Sequence, residues 1–272
     1  MTGTLEATGP SETIDTLHLM VTAAQQAGRR LEALFDPAAR PQDWAALRAA
    51  VERNEDASLP QLRNDLTAAR PDVGWVGEDL EAAVLPSGDF WVVDAVEGNV
   101  NHVHGMADWG VSVTLIRDNE PMLAVVHQPI GGLTYTAVRG GGATLNGQPL
   151  RVSAKSDVSA ALAVTGQAEA GQTDTYASLG RSYNVMLQRA LLVRAAVPST
   201  FPLLAVAAGH VDVFWQFGAV LPGIAAGSLM VTEAGGTVTD LEGQPWRPGA
   251  RQVLAAAPAL HADALETLCG AA

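Results

Sequence analysis

The sequence predicts an α/β protein in two successive parts: helices followed by a mostly antiparallel sheet to about residue 150, then an α/β half over 151–272. Two changes of texture carry this reading. After Pro71 helical spacing gives way to short β-branched or aromatic runs cut by Gly, Pro, Asp and Asn. Beyond about residue 155 strand-like and helix-like runs alternate. No repeat, low-complexity segment or long linker interrupts the chain, so the halves are expected to form one unit.

Residues 1–10 read as a frayed tail. "SETIDTLHLMVTAAQQAGRRLEALF" follows as a helix, with Ser11 and Asp15 as candidate caps. A second helix is expected over "PQDWAALRAAVER" and a third over "SLPQLRNDLTAARP", where Pro60 suits a first helical turn. "VGWVGED", "DFWVVDAV", "WGVSVTLIRD", "PMLAVVHQP" and "LTYTAVRG" read as strands, and Asn146-Gly147 marks a hairpin turn. "ALAVTG" is strand-like and "TYASLGRSYNVMLQRALL" helix-like. "FPLLAVAAGHVDVFWQF" runs from helix to strand, and "LPGIAAGSLMVTEAGGTVTDL" is a helix stopped by Gly235-Gly236 and then a strand. Trp91, Trp109 and Trp215 lie in strand-like runs and are expected to pack in the core.

Composition narrows the function. With 272 residues, 48% hydrophobic and 17% charged, the chain can bury a large core. A net charge of −13 disfavours a nucleic-acid partner, but a small phosphate ester remains open because a bound divalent cation reverses the local sign. The single cysteine, Cys269, permits no internal disulfide. No apolar run is long enough for a membrane span and the N-terminus is polar and acidic, so a soluble cytoplasmic protein is expected.

The chemistry concentrates in acids at strand ends. Glu78 and Asp79 close "WVGED"; Asp94 closes "FWVVD", and Glu97 follows before Gly98. Two carboxylates spaced three apart at a strand end can converge on one cation, with the Val96 carbonyl between them as a third hard oxygen, a set suited to Mg²⁺. Solvated turn residues have the same local pattern.

"WVVDAVEGNVNHVHG" resembles the metal-binding signature of the inositol monophosphatase family, a strand ending in D-P-[IL]-D-G-T. "GED", "GVSVTL", the "RGGGATLNGQPL" turn, "LLAVAAGHVDVFWQ" and "GIAAGSLMVTEAGGTVTDLEG" resemble further family elements in unbroken order. The resemblance implies a layered α-β-α-β-α sandwich and a Mg²⁺-dependent phosphomonoesterase acting on a sugar, polyol or nucleotide phosphate. It implies Glu78, Asp94, Glu97 and the Val96 carbonyl as metal ligands, with backbone N–H groups of Gly98, Asn99 and Val100 holding phosphate. It also implies a homodimer, for which "PMLAVVHQPIGGLTY" offers apolar material.

Four departures from the family pattern stand out. Glu97 replaces an aspartate. Asn99 replaces a threonine that helps orient water, and its partner acid, counted back from Pro71, falls on Glu55, with Asp56 adjacent. Gly223 replaces a metal-ligating aspartate, with Pro222 before it in place of tryptophan; one Mg²⁺ site is therefore expected and the second is thinned. At the substrate end Gln216 replaces an acid, and Val197-Pro198-Ser199 replaces G-[ST]-A, which makes Gln216 and Ser199 candidate substrate contacts. Asp94, Glu97, Asn99 and Glu78 form the candidate catalytic set. The alternative is a catalytically silent or repurposed homologue that binds a ligand or partner. His102 and His104 lack a matching third ligand and are expected to face solvent; Gly140 to Gly142 is expected to be a tight turn.

Overall fold

The structure is a computed structural model that describes residues 10–77, 83–167, 171–218 and 220–269. Two long helices open the chain, α1 (Pro10–Glu32) and α2 (Trp44–Ala69). A seven-stranded sheet follows in sequence order: β1 (Gly74–Trp75), β2 (Asp89–Glu97), β3 (Gly110–Arg117), β4 (Glu120–Gln128), β5 (Leu133–Val138), β6 (Gly142–Leu145) and β7 (Gln148–Pro149). Only β1 and β2 run parallel; every other neighbouring pair in it is antiparallel. The short helix α3 (Asn99–Val103) leaves the end of β2. The second part comprises β8 (Leu162–Thr165), α4 (Tyr176–Leu187), β9 (Leu192–Ala195), α5 (Thr200–Ala207), β10 (Val213–Phe217), α6 (Leu221–Glu233), β11 (Thr237–Thr239), β12 (Gln252–Ala256) and α7 (Pro258–Cys269). Its five strands are ordered β11-β12-β10-β8-β9.

Five layers result. α1 packs on β3 and β4, and α2 on β2. α6 lies between the sheets, against β2 to β5 on one side and β11 and β12 on the other, with α5 beside it. α4 and α7 cover the outer face of the second sheet. Because the first sheet is covered on both faces, β3 "GVSVTLIR" is apolar almost throughout rather than alternating. Side-chain direction still alternates. Trp91, Leu123 and Val125 meet Met20, Leu62 and Leu66 on one face; Val92, Ala124 and Val126 meet Leu203, Ile224 and Met230 on the other. In β10 Phe214 joins the central core while Val213 and Trp215 face the outer helices. Trp91, Trp109 and Trp215 are fully buried, as expected.

Three features depart from expectation. The helices expected as second and third are one helix, α2, with Pro60 inside it. Proline breaks a ladder bond there, but Arg30 of α1 donates to the Ala57 carbonyl (2.9 Å) and reaches the Ser58 carbonyl, and Ser58 Oγ donates to Ala95 O (2.7 Å). Tertiary contacts thus hold the helix across its weak point. Ser11 and Asp15 lie inside α1, which begins at Pro10. β9 follows α4 within the run read as one helix, and β12 and α7 complete the C-terminal end.

The only lysine, Lys155, ties the second sheet together. Its Nζ lies 2.7 Å from Asp212 Oδ2, which also accepts from Leu162 N–H (2.7 Å) at the start of β8. The Asp212 side chain is 1% exposed and that of Lys155 45%. Removing the cation leaves a buried carboxylate without its counter-charge. Lys155→Met is expected to cost about 2–3 kcal/mol after allowance for the exposure of the lysine, and Asp212→Asn in the same chain to recover part of it. Denaturant unfolding of the two variants checks this.

Candidate active site

β2 and β3 pair without interruption from Asp89 to Asp94, but Glu97 then faces Gly110 where Asp94 faces Ser112. Three steps along β2 thus match two along β3, which places one extra residue in β2 between Asp94 and Glu97. In a regular strand residues three apart point to opposite faces; the bulge removes that parity and allows both acids to serve one side. Val96 N–H donates to Asp94 Oδ1 (2.9 Å) and fixes the turn. Asp94 is half-buried and Glu97 is 3% exposed. Burial, with the Asp94 charge adding to it, pushes the Glu97 carboxyl well above the ordinary glutamate range; the Thr200 hydroxyl opposes the shift. Glu78 and Asp79 lie outside the described residues.

Thr200 opens α5 and was not singled out by the sequence. Its Oγ1 lies 2.8 Å from Glu97 Oε2 and 2.9 Å from the Gly223 carbonyl. A Cβ built at Gly223 would lie 3.1 Å from Thr200 Oγ1 and 3.7 Å from each Glu97 carboxylate oxygen. The space over Gly223 is therefore not empty. The longer Glu97 side chain reaches it and Thr200 secures it there. The departures at 97 and 223 therefore meet in space, the Glu97 carboxylate lying within van der Waals reach of the point where a side chain at 223 would begin.

Asn99 has a different partner from the one expected. Glu55 and Asp56 are both exposed. The residue facing Asn99 is Asn54, because helical register puts Asn54, Ser58, Leu62 and Leu66 on the buried face of α2 at four-residue intervals. Asn54 Nδ2 donates to Asn99 Oδ1 (2.8 Å) and lies 2.9 Å from His102 Nδ1. Asn99 Nδ2 donates to Val51 O (3.1 Å). His102 is 3% exposed, not solvent-facing; with Nε2 2.9 Å from the Leu31 carbonyl, the tautomer that satisfies both contacts carries its proton on Nε2. His104 is partly exposed; its ring Nδ1 lies 2.8 Å from the Val100 carbonyl, and its own carbonyl accepts from Arg40 Nη1 (2.7 Å).

This network has an acid-side consequence. Burial lowers the His102 pKa below its ordinary 6.5. A depressed folded-state pKa means stability present above the unfolded value is lost as pH falls through the folded one. Protonation would also put a hydrogen on Nδ1 against the Asn54 amide. Denaturation midpoints should drop as pH falls below the ordinary histidine value of 6.5, less in His102→Gln; His127 and His261, also lowered by burial, add to the drop, while Glu97, raised by burial, opposes it.

Gly98 turns the chain from β2 into α3 with φ +76°, and the first intrahelical bond runs from His102 N to Gly98 O (3.0 Å). The N–H groups of Asn99 and Val100 precede that bond, and Val100 is exposed. At the other end Ser199 Oγ donates to Gln216 Oε1; both residues are buried, and the Gln216 amide Nε2 has no partner. The structure brings these two candidate substrate contacts together, but against each other. Among the described residues no three acids, histidines or cysteines cluster as a metal site. Asp94 and Glu97 carry like charges close enough for Asp94 to raise the Glu97 pKa, a repulsion that a bound cation would relieve. The place beside Gly223 does not fit a second, being filled by Glu97 and Thr200.

The inositol monophosphatase family profile matches residues 19–271. The chain belongs to that family. An inositol-1-monophosphatase from Rhizobium meliloti is 36% identical over 229 residues, 84% of this chain and 86% of that protein. The Nus factor SuhB of Pseudomonas aeruginosa is 31% identical over 235 residues, 84% and 86% of the two chains. The extragenic suppressor protein SuhB of Bartonella henselae superposes with a TM-score of 0.75 at 27% identity, covering 93% of this chain and 99% of that one. Inositol monophosphatases are Mg²⁺-dependent phosphatases as a family. No described helix is long and apolar enough to cross a membrane.

Proposed function

We propose that the chain is a slow, Mg²⁺-dependent phosphomonoesterase for a small sugar, polyol or nucleotide phosphate, working with one cation rather than two. The observation that carries this is the bulge between Asp94 and Glu97 at the end of β2, with the Asp94 charge acting on the Glu97 carboxyl. In this reading Asp94, Glu97 and Val96, with Glu78, hold the ion, and the backbone after Gly98 receives the phosphate. The cation supplies charge neutralisation and activation of water. Gln216 and Ser199, buried and paired with each other, shape the wall of the substrate end. The apolar run offered for a dimer lies largely in β4 and is buried within its own subunit, so homodimerisation rests on family likeness; light scattering at micromolar concentration tests it.

A phosphate-release screen over many esters, with Mg²⁺ and with chelator, tests the function. Release is expected with Mg²⁺ only, and Asp94→Asn should lower it about 10²-fold or more, since losing a charged ligand removes several kcal/mol of transition-state stabilisation. Absence of chelator-sensitive release across the screen would sink the reading. One observation favours a second reading, a silent or repurposed homologue that binds a ligand or partner. Asn54 and Asn99 are neutral amides engaged with each other, His102 and Val51, and neither can accept a proton from water at neutral pH. Mg²⁺ binding without release on any ester supports that alternative.

A further inference from the structure

Away from the acids, a cavity of about 260 Å³ opens between the start of β4, the C-terminal half of α6, β11 and the loop before β12. Its wall includes Glu120, Arg139, Thr232, Thr237, Trp246 and Arg247. Thr232 lies nine positions after Gly223 on α6, about 13 Å along the helix axis, so the cavity and the acid cluster sit at different levels of one helix.

The charges in this wall do not balance. Glu120 is its one carboxylate: Arg247 pairs with Oε1, and Arg139 Nη1 lies 3.7 Å from Oε2. Two guanidiniums against one carboxylate leave the lining itself with a positive charge over, the next acid, Glu233, being held behind the wall by the Gly140 and Gly142 N–H groups. Arg139 Nε donates to the Pro121 carbonyl (2.7 Å), which sets the plane of its guanidinium while its outer N–H groups keep unused donors. Trp246 is 8% exposed and its buried indole N–H has no partner. That N–H is out of reach of solvent, so Trp246 contributes its ring to the wall, and the donors open to a ligand are the two guanidiniums and the Thr237 hydroxyl.

We propose that this cavity is a second, metal-independent site for a small tetrahedral oxyanion, the phosphate group of a free or esterified ligand. Guanidinium forks match phosphate oxygens in pairs. Donors stand on more than one wall, which suits the tetrahedral acceptors of phosphate better than the single plane of a carboxylate. Glu120 holds the two forks in place and also competes with the anion, so its removal has a sign opposite to that of the arginines.

The test is calorimetric titration of the full chain with orthophosphate in the presence of chelator, which silences a Mg²⁺-dependent active site. Wild type is expected to bind one phosphate. Arg247→Ala, a change at a half-exposed side chain, should weaken binding about tenfold or more, since charge-assisted hydrogen bonds carry roughly 1.5–3 kcal/mol. Arg139→Gln should weaken it likewise, and Glu120→Gln should strengthen it. Asp94→Asn should leave it unchanged, because the site is not that of the proposed phosphatase. Malonate in place of phosphate should bind more weakly. Thermal unfolding establishes that each variant is folded; should Arg139→Gln fail to fold through loss of its bond to Pro121 O, Arg247→Ala and Glu120→Gln decide. Phosphate binding that ignores both of these changes, that disappears in Asp94→Asn, or that malonate equals would overturn the proposal. A failed phosphatase screen would leave it standing.

Discussion

Gly98→Ala is expected to lower stability by about 3 kcal/mol and the melting temperature by about 10 °C. Two costs add. A φ of +76° is left-handed backbone, which an alanine occupies only with strain. The new Cβ would also lie 2.6 Å from the Asp108 carbonyl oxygen and 3.2 Å from the Pro198 ring. That carbonyl has no freedom to retreat cheaply, since it accepts from Asn101 Nδ2 (2.9 Å), whose amide also donates to Val197 O (3.1 Å). The strain therefore spreads into both the α3 segment and the loop that leads to Thr200. Gly147→Ala separates the two costs: its φ is +78°, but nothing lies within 4 Å of its Cβ position. It should lose only the conformational part, about 1–2 kcal/mol. Equal losses at the two sites, read by thermal unfolding, would show that the close approach to Asp108 is not a constraint.

How far the sequence discloses this site depends on whether the deciding interaction is local. The strand runs of the mostly antiparallel first sheet, the alternation of helix and strand beyond residue 155, and the Asn146-Gly147 turn are local signals, and the structure has them, although they do not disclose β9, β12 and α7. Pro60 is also a local signal, but Arg30 answers it from another helix, so the helix boundary expected there does not exist. Asp94 and Glu97 are conspicuous in sequence, whereas the bulge that lets them act together is a property of β2 paired with β3. Asn54 could have been found from the four-residue spacing Asn54, Ser58, Leu62, Leu66, where polar residues enter an apolar stripe. Counting back linearly chose its neighbour, which the helix turns to solvent. Thr200 had no such signal. Its meaning arises only from closeness to Glu97, 103 positions away. The emptiness of Gly223 is legible as a missing side chain; what fills the space is legible only in three dimensions.

That filled space makes the exchange of Glu97 and Gly223 the sharpest test of the site. Gly223→Asp alone sets a second carboxylate against the first: its Cβ would lie 3.7 Å from both Glu97 oxygens and 3.1 Å from Thr200 Oγ1. Two buried carboxylates at such range repel, one of them must take up a proton, and the protein should be destabilised in chelator. Glu97→Asp alone withdraws the carboxylate by about 1.5 Å, one carbon–carbon bond. It leaves a gap over Gly223 and takes the acceptor away from Thr200. The double variant Glu97→Asp/Gly223→Asp restores a carboxylate on each side at the shorter reach. Its α6 carboxylate stands in the first helical turn, which favours negative charge, and Pro222 already suits that turn. The two changes should therefore be non-additive, with the double variant more stable than the sum of the singles by about 1–3 kcal/mol. Titration with Mg²⁺ should show one ion in wild type and a second, weaker ion gained in the double variant. Additive stabilities together with unchanged Mg²⁺ binding would mean that Glu97 does not stand in for a side chain at 223, and that the acids of β2 and the start of α6 diverged independently.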